Sequence, residues 1–405
     1  MAPERTTKMP GPGKVEASGA PVDSTQGEPP RRRTTRKKNR GVTKDKTLRE
    51  RAVIAMFRHR GEPSFRAFGA VAEDLDIPVQ QVTPLLHAAF SDKMFSVNLN
   101  LEAERVEIAD LEQAVRRRYA HKGLRTVTLV HAEPTLLEDL HPDERVRVRL
   151  EVTGVMARLL APHLDALVAN AAKEARAAER AGRRMEPFRI GVGSGRTIRL
   201  LADHLLHTPR PVRTPAVEIV PTLAVVGTLG GNHLEANMIA QDIAEAFGGL
   251  SDQIPCVALP RAEEAAIVTQ PHRVREGLQK CMKCHVVITG IGAVGAVPDN
   301  GSDLPLSKDP AENAKVVEAV RRDGGCGQIG YAVFDTDGRR VPTAYKTIGL
   351  TPEDLHRMVR DGREVILIAG GDRRRFLPIK VALSTGLVTW LVSDTITAKF
   401  LVDEL

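Results

Sequence analysis

No run of 18 or more consecutive apolar residues occurs in the sequence, so nothing in it suggests a membrane span. An apolar signal-peptide core is also missing near the start, which makes the cytoplasm the expected compartment. Cysteine is scarce as well, four in 405 residues, in keeping with a reducing compartment. Cys281 and Cys284 form a lone C-x-x-C, but a structural zinc site needs two further ligands at suitable spacing, and Cys256 and Cys326 lie far off in sequence. The pair leads into the apolar run His285 to Thr289, so buried or incidental thiols are expected, with no metal and no cofactor.

Excess charge is missing from most of the chain. The net charge is +7. Residues 1–46 hold 12 Lys/Arg and 5 Asp/Glu, a net of +7, which leaves 46 of each sign in the remainder. The basic character is therefore confined to a tail rich in Pro, Gly, Ser and Thr, with almost nothing apolar to bury and expected to be disordered. Within it Arg31, Arg32, Arg33, Arg36, Lys37, Lys38 and Arg40 form a basic arm that could hold phosphate backbones by counterion release. A merely solubilising tail would have the same composition.

At this length two or three units are expected. Residues 47–100 read as a compact helical unit: amphipathic patterns at Leu48–Arg58, Phe65–Leu75 and Val79–Phe90, a turn at Asp76-Ile77-Pro78, then alternation at Phe95–Leu99 like a short strand or wing. That is the outline of a helix-turn-helix DNA-binding domain, and equally of a three-helix packing module. Residues 101–405 open with a charged helix at Glu102–Tyr119 and a β-branched run at Thr126–Val130. A helical segment from Arg145 is expected to end near Pro162. A second, Ala-rich one follows at Asp165–Met185 and is expected to project from the body.

Strand-like runs then recur at Phe188–Val192, Val217–Val220, Val286–Thr289, Val365–Ala369 and Val388–Val392. Helical patterns lie between and after them, at Arg196–Leu206, Leu234–Phe247, Glu263–Lys280, Ala311–Arg321, Pro352–Val359 and Thr395–Val402. Such alternation predicts an α/β domain around a largely parallel sheet, whose ligands sit beyond the strand C-termini. Those are the positions of the glycines. Gly193, Ser194, Gly195, Arg196 and Thr197 form a turn that could aim backbone N–H groups and a helix N-terminus at one anion. Gly227–Gly231, Gly290–Gly295 and Gly370–Arg375 follow three further strands, and four such loops on one rim point to a binding site.

The ordered series GVGSGRT (191–197), VEIVP (217–221), ANMIAQDIAEAFGG (236–249), VVITGIG (286–292), FDTDGR (334–339), TIGLTPEDL (347–355), IAGGDRR (368–374) and LVSDTITAKFL (391–401) resembles the effector-binding domain of the SorC family, bacterial sugar-responsive transcription regulators. The resemblance implies a fold like that of ribose-5-phosphate isomerase and glucosamine-6-phosphate deaminase, a phosphorylated sugar as effector, DNA as partner and a tetrameric homo-oligomer. It implies no enzyme. It maps the effector contacts onto Gly193 to Thr197, Gly230, Gly231, Gly292, Gln328, Gly371, Arg374 and Asp394. Gln328 stands where the family usually carries an Asp. Asp165–Met185 looks like an insertion.

The family's helix-turn-helix signature falls on Pro78 to Leu86, where two arginine positions are Val79 and Pro84. Neither can donate to phosphate or guanine, and Pro84 is expected to kink or shorten the helix. Gln80, Gln81 and Thr83 remain as candidate base readers. An alternative is a sugar-phosphate sensor or scaffold without sequence-specific DNA binding. A further one is an isomerase or deaminase, with Glu235, Asp299, Asp303 and Asp394 as candidate acids and bases.

Overall fold

The computed structural model describes residues 46–58, 64–91, 102–132, 142–227, 234–294 and 309–403, which fall into two compact units, Met1–Asn100 and Leu101–Leu405. The basic arm from Arg31 to Arg40, the Phe95–Leu99 alternation, Gly230, Gly231, Asp299 and Asp303 lie outside the described residues.

In the smaller unit, α1 (Lys46–Arg58), α2 (Ser64–Leu75) and α3 (Val82–Ser91) enclose a core of Ala52, Ala55, Val71, Leu75, Val82 and Leu85. Between α2 and α3 the chain turns through Asp76 in the left-handed region (φ 52) and makes a 3₁₀ turn at Val79–Gln81. The expected helix from Val79 is thus shortened, with its α-helical part starting at Val82. Pro84 is the third residue of α3, inside the first turn, where a backbone N–H has no intrahelical partner anyway. The anticipated kink is therefore avoided at little cost.

The larger unit is a three-layer α/β/α body. Its first helix is α4 (Glu102–Tyr119), followed by β1 (Thr126–Val130) and α5 (Pro142–Arg180). Then come β2 (Phe188–Val192), α6 (Arg196–His207), β3 (Val217–Pro221), α7 (Ala236–Phe247), β4 (Leu250–Ser251), α8 (Ala265–Val268), α9 (His272–Met282), β5 (Val286–Thr289) and β6 (Gly292–Ala293). The chain ends with α10 (Pro310–Arg322), β7 (Gly327–Ile329), β8 (Ala332–Phe334), α11 (Pro352–Arg360), β9 (Glu364–Ile368), α12 (Phe376–Ser384), β10 (Trp390–Asp394) and α13 (Thr395–Asp403).

Seven strands pair in the order β1-β10-β9-β5-β2-β3-β4, every pair parallel. Side chains alternate across the sheet, so Ile190, Val192, Ile288, Ile366 and Ile368 meet α5, α6 and α7 on one face. Val287, Val365, Leu367 and Leu391 meet α4, α11 and α13 on the other. A small antiparallel sheet, β6-β7-β8, belongs to a third core with Leu223, Ile254, Tyr331, Val333 and Ile348.

Helix α5 corrects two expectations. It runs unbroken through Pro162, because Leu160, Ala161, Leu164 and Val168 are buried on both sides of it, and that burial outweighs the one missing hydrogen bond. Nor does the segment after Asp165 project: Val168, Ala171, Ala172 and Ala178 pack inward. Among the described residues Val152–Arg180 is long and apolar enough to cross a membrane by length and composition, and its inward face is a wall of this core. The expected helix at Glu263–Lys280 is two helices, because Pro271 forms the N-cap of α9.

Candidate functional site

Strand β2 is followed by a crossover through α6 to β3 on one side, and β5 by a crossover to β9 on the other. Their C-terminal ends therefore open onto a crevice where connections leave in opposite directions, the usual ligand position in open parallel sheets. Gly193–Thr197 follows β2 and Gly290–Ile291 follows β5. The loops after β3 and β9 leave the two strands flanking that pair, so the four glycine-bearing segments share one rim.

Sequence dictates the geometry of the first segment. Gly191 has no room for a side chain, since a Cβ would strike Thr222 and press on Cys284. Gly193 continues the β pattern, its N–H donating to the Ile288 carbonyl at 2.9 Å. Gly195 adopts φ 101, ψ 172, a region essentially restricted to glycine, and is the N-cap of α6. It brings no capping side chain, so the positive end of the α6 dipole is not met by a side chain of its own N-cap residue and favours an anion there. Ile198, Leu201, Ala202 and Leu205 are buried at the expected spacing. Arg199 pins α6 by hydrogen bonds to Asp203 (2.9 Å) and to Asp242 of α7. Arg196 is exposed, and Ser194 and Thr197 are half-buried.

The neighbouring loops are tied into this turn. The Gly195 N–H donates to the Leu234 carbonyl at 3.0 Å. Next to Leu234, buried Glu235 accepts the backbone N–H groups of Val226 (2.9 Å) and Gly227 (2.8 Å). After β9, Gly370 and Gly371 pass over Asp394, where a Cβ on Gly370 would collide with the carboxylate. Gly371 is in the left-handed region (φ 69) and donates its N–H to Asp394 Oδ2 at 2.6 Å. Asp372 then caps a 3₁₀ turn at Arg373–Arg375 and accepts both the N–H (3.0 Å) and the guanidinium Nε (2.9 Å) of Arg374. Burial pushes the Asp372 carboxyl up, but the hydrogen bonds and charge of Arg374 outweigh it and hold the group below the usual carboxylate range.

Gly292 is not in a turn, as the glycine pattern suggests, but in β6, where it pairs with Gln328 of β7. β6 lies against the Arg373–Arg375 turn, which brings both residues to the basic side of the rim. The Gln328 Oε1 accepts the N–H of Tyr331 (2.7 Å), bracing a hairpin turn whose Gly330 and Tyr331 both have positive φ. Asp394 is fully buried, and its oxygens also accept the Thr397 N–H and Oγ1–H, both at 2.9 Å. Of the candidate bases, Glu235 and Asp394 are thus both engaged with backbone donors.

The thiols of Cys281 and Cys284 are buried in the core. Burial pushes the first well above its ordinary value and the second to about 12, against thiolate chemistry at neutral pH. On the smaller unit, Val79, Gln80, Thr83 and Pro84 are exposed, whereas Gln81 is half-buried. Sequence reasoning did not assign Leu234, Asp372 or Thr397 to the site; only the Asp-x-Arg spacing around Arg374 offered a signal.

A family model described as "Putative sugar-binding domain" matches residues 106–403. The chain belongs to this family, that of the SorC-like sugar-binding transcription regulators. Its fold agrees. The full-length sorbitol operon regulator SorC from Klebsiella pneumoniae superposes with TM-score 0.58 at 18% identity, covering 89% of this chain and 99% of that one. A DeoR family transcriptional regulator from Listeria monocytogenes gives 0.54 at 18% identity, over 73% and 99%. A probable sor operon regulator from Shigella flexneri gives 0.52 at 19% identity, over 73% and 100%. Among curated proteins none matches the sequence. The SorC-like match begins within α4 and ends with α13, so the whole rim lies inside it.

Proposed function

We propose that this SorC-like chain is a cytoplasmic transcription regulator whose larger unit takes a phosphorylated sugar at the rim and whose smaller unit, with the basic arm, binds DNA. The observation that carries the reading is the uncapped N-terminus of α6 behind Gly195, set at the crossover-reversal crevice and opposite a basic turn. The phosphate would sit at the start of α6, on the N–H groups of Ser194 and Thr197, and the sugar would extend towards Gly292, Gln328 and Gly371. Arg374 would supply positive charge. The resemblance to the SorC effector-binding domain, which implies a fold like that of ribose-5-phosphate isomerase and glucosamine-6-phosphate deaminase and a phosphorylated sugar as effector, supports this reading.

A thermal-shift screen of phosphosugars tests the site, because a ligand that binds only the folded state raises Tm. Arg196→Ala and Thr197→Val should each abolish the shift; a shift unchanged in both would place the cradle elsewhere.

A second reading, a sensor that no longer reads DNA sequence, is favoured by Val79 and Pro84 on the exposed face that would meet bases. Gel-shift assays with genomic fragments at low and moderate salt separate the two. Binding that is salt-sensitive and blind to sequence would support the sensor. An isomerase or deaminase is disfavoured by the engagement of Glu235 and Asp394 with backbone donors. Homo-oligomer formation is supported by the outward stripe Val155, Leu159, Pro162 and Ala166 on α5, exposed at helical spacing.

A further inference from the structure

Helix α13 lies between the basic loop of the rim and α4, the first helix of the larger unit. Its N-terminus is fastened to the loop through one buried carboxylate, that of Asp394. Oδ2 receives Gly371 N–H and Thr397 Oγ1–H, and Oδ1 receives Thr397 N–H. The other end of the loop is fastened too: Phe376, directly after Arg375, packs on Phe400 with ring centroids 4.8 Å apart. The far side of α13 is joined to α4. Arg118 donates to the Val402 carbonyl at 2.7 Å, the Tyr119 hydroxyl reaches the Leu401 carbonyl at 3.5 Å, and Lys399 pairs with Glu107 at 3.0 Å. Ala398 and Leu401 are buried beside Val115 and Tyr119 in one core. No other buried carboxylate on the rim bonds both a rim loop and the start of a helix seated on α4, among the described residues.

We infer that Asp394 is a positioning residue that couples the shape of the Gly371–Arg375 loop to the seating of α13 on α4, so that rim occupancy is read at the first helix of the larger unit. The physical basis is short. An anion that draws Arg374 or the Gly371 N–H towards itself changes the bond to Oδ2, and the same oxygen holds the first turn of α13. A close-packed helix with no room at Gly370 cannot absorb that change locally, so it moves as a body against α4. The ligand-driven part rests on the phosphosugar reading; the mechanical link between loop and α4 does not.

The test is hydrogen exchange, read by segment, on the full chain without ligand and with inorganic phosphate. Without ligand, Asp394→Asn should raise exchange about tenfold in both Gly371–Arg375 and α4, while α6 and α7 on the opposite face stay unchanged. Faster exchange confined to the loop, with α4 as in the parent, would overturn the coupling. A uniform rise everywhere would do the same, since it would mean general destabilisation. Should Asp394→Asn fail to fold, Thr397→Val removes one of the three bonds and should give a smaller rise in the same two segments. With phosphate, the parent should show slower exchange at Gly193–Thr197 and a change in α4 that Asp394→Asn lacks. No response at Gly193–Thr197 would count against the phosphosugar site, leaving the ligand-free comparison to decide the link.

Discussion

The guanidinium of Arg374 is held by the carboxylate of Asp372, two residues earlier in the same turn, through Nε to both oxygens at 2.9 and 3.0 Å. A phosphate arriving at the rim must therefore compete with a carboxylate already in place. Asp372→Asn keeps the size of the side chain and removes the competitor. It should raise affinity for a phosphosugar several-fold, and it should cost about 1–2 kcal/mol of stability because the charge-assisted bonds weaken. Because the Asp372 carboxyl is held below its usual value, that stability is present at neutral pH and is lost as pH falls through its folded-state value. Titration calorimetry and urea unfolding check the two halves; affinity reduced as far as in Arg374→Ala would show that Asp372 helps to bind the ligand.

The turn before α6 depends on one backbone conformation. Gly195→Ala should cost about 1–3 kcal/mol, since φ 101 with ψ 172 is closed to a Cβ. It should also erase any phosphosugar-induced rise in Tm, because the first-turn N–H groups are aimed by this residue. Gly182→Ala is the control: its φ of 66 lies in the left-handed region, with open space around it and no part in the rim. Urea unfolding of both variants, with and without ligand, separates backbone strain from loss of the site. Ligand response retained in Gly195→Ala would mean that the anion does not use this helix terminus.

The rim was legible because its signals are local. Phe188 to Leu205 changes from strand pattern to helical spacing across three glycines, and the parallel sheet follows from buried apolar strands separated by helices. The remainder was hidden for physical reasons. β4, β6, β7 and β8 are two or three residues long, too short to show a period; β4 is held by pairing with β3, and the other three by the small sheet they form together. α12 is apolar on nearly every side, with Phe376, Pro378, Ile379, Val381, Ala382 and Leu383 all buried, so it offers no amphipathic stripe. The role of Glu235 depends on the backbone N–H groups of Val226 and Gly227, which approach it only in the folded chain. No spacing of residue types announces such bonds.

Pro162 was a strong stop signal that burial overrode, which makes it a place to gain stability. Its ring is exposed and α5 continues through it, so Pro162→Ala restores an N–H for the carbonyl of Arg158 and removes a clash. The gain should be about 1–3 kcal/mol, read as a higher Tm. A lower Tm would show that the proline helps to seat the next residue, His163, whose ring meets Trp390 edge-on at 4.4 Å and contacts Glu364 at 2.8 Å.

Acid sensitivity should appear well above the range in which carboxylates titrate. His285 accepts the N–H of Arg189 at Nδ1 (3.0 Å) and stacks on Phe188 with centroids 4.7 Å apart. Burial holds its imidazole below the ordinary histidine value; the charges of Arg189 and Arg363 push the same way, and Glu186 opposes them. His204 is lowered in the same direction, first by burial and then by Arg210 and Arg158. For a histidine lowered in the folded state, the unfolded chain binds more protons just below about pH 6.5, so stability rises with pH there and is lost as pH falls through that value. Thermal melts at about pH 7.5 and about pH 5.5 should show a lower Tm in acid, the second pH staying above the carboxylate range. In His285→Gln the Oε1 can still accept from Arg189 but cannot be protonated, so the drop should shrink. A drop as large as the parent's would mean that other groups carry the acid response.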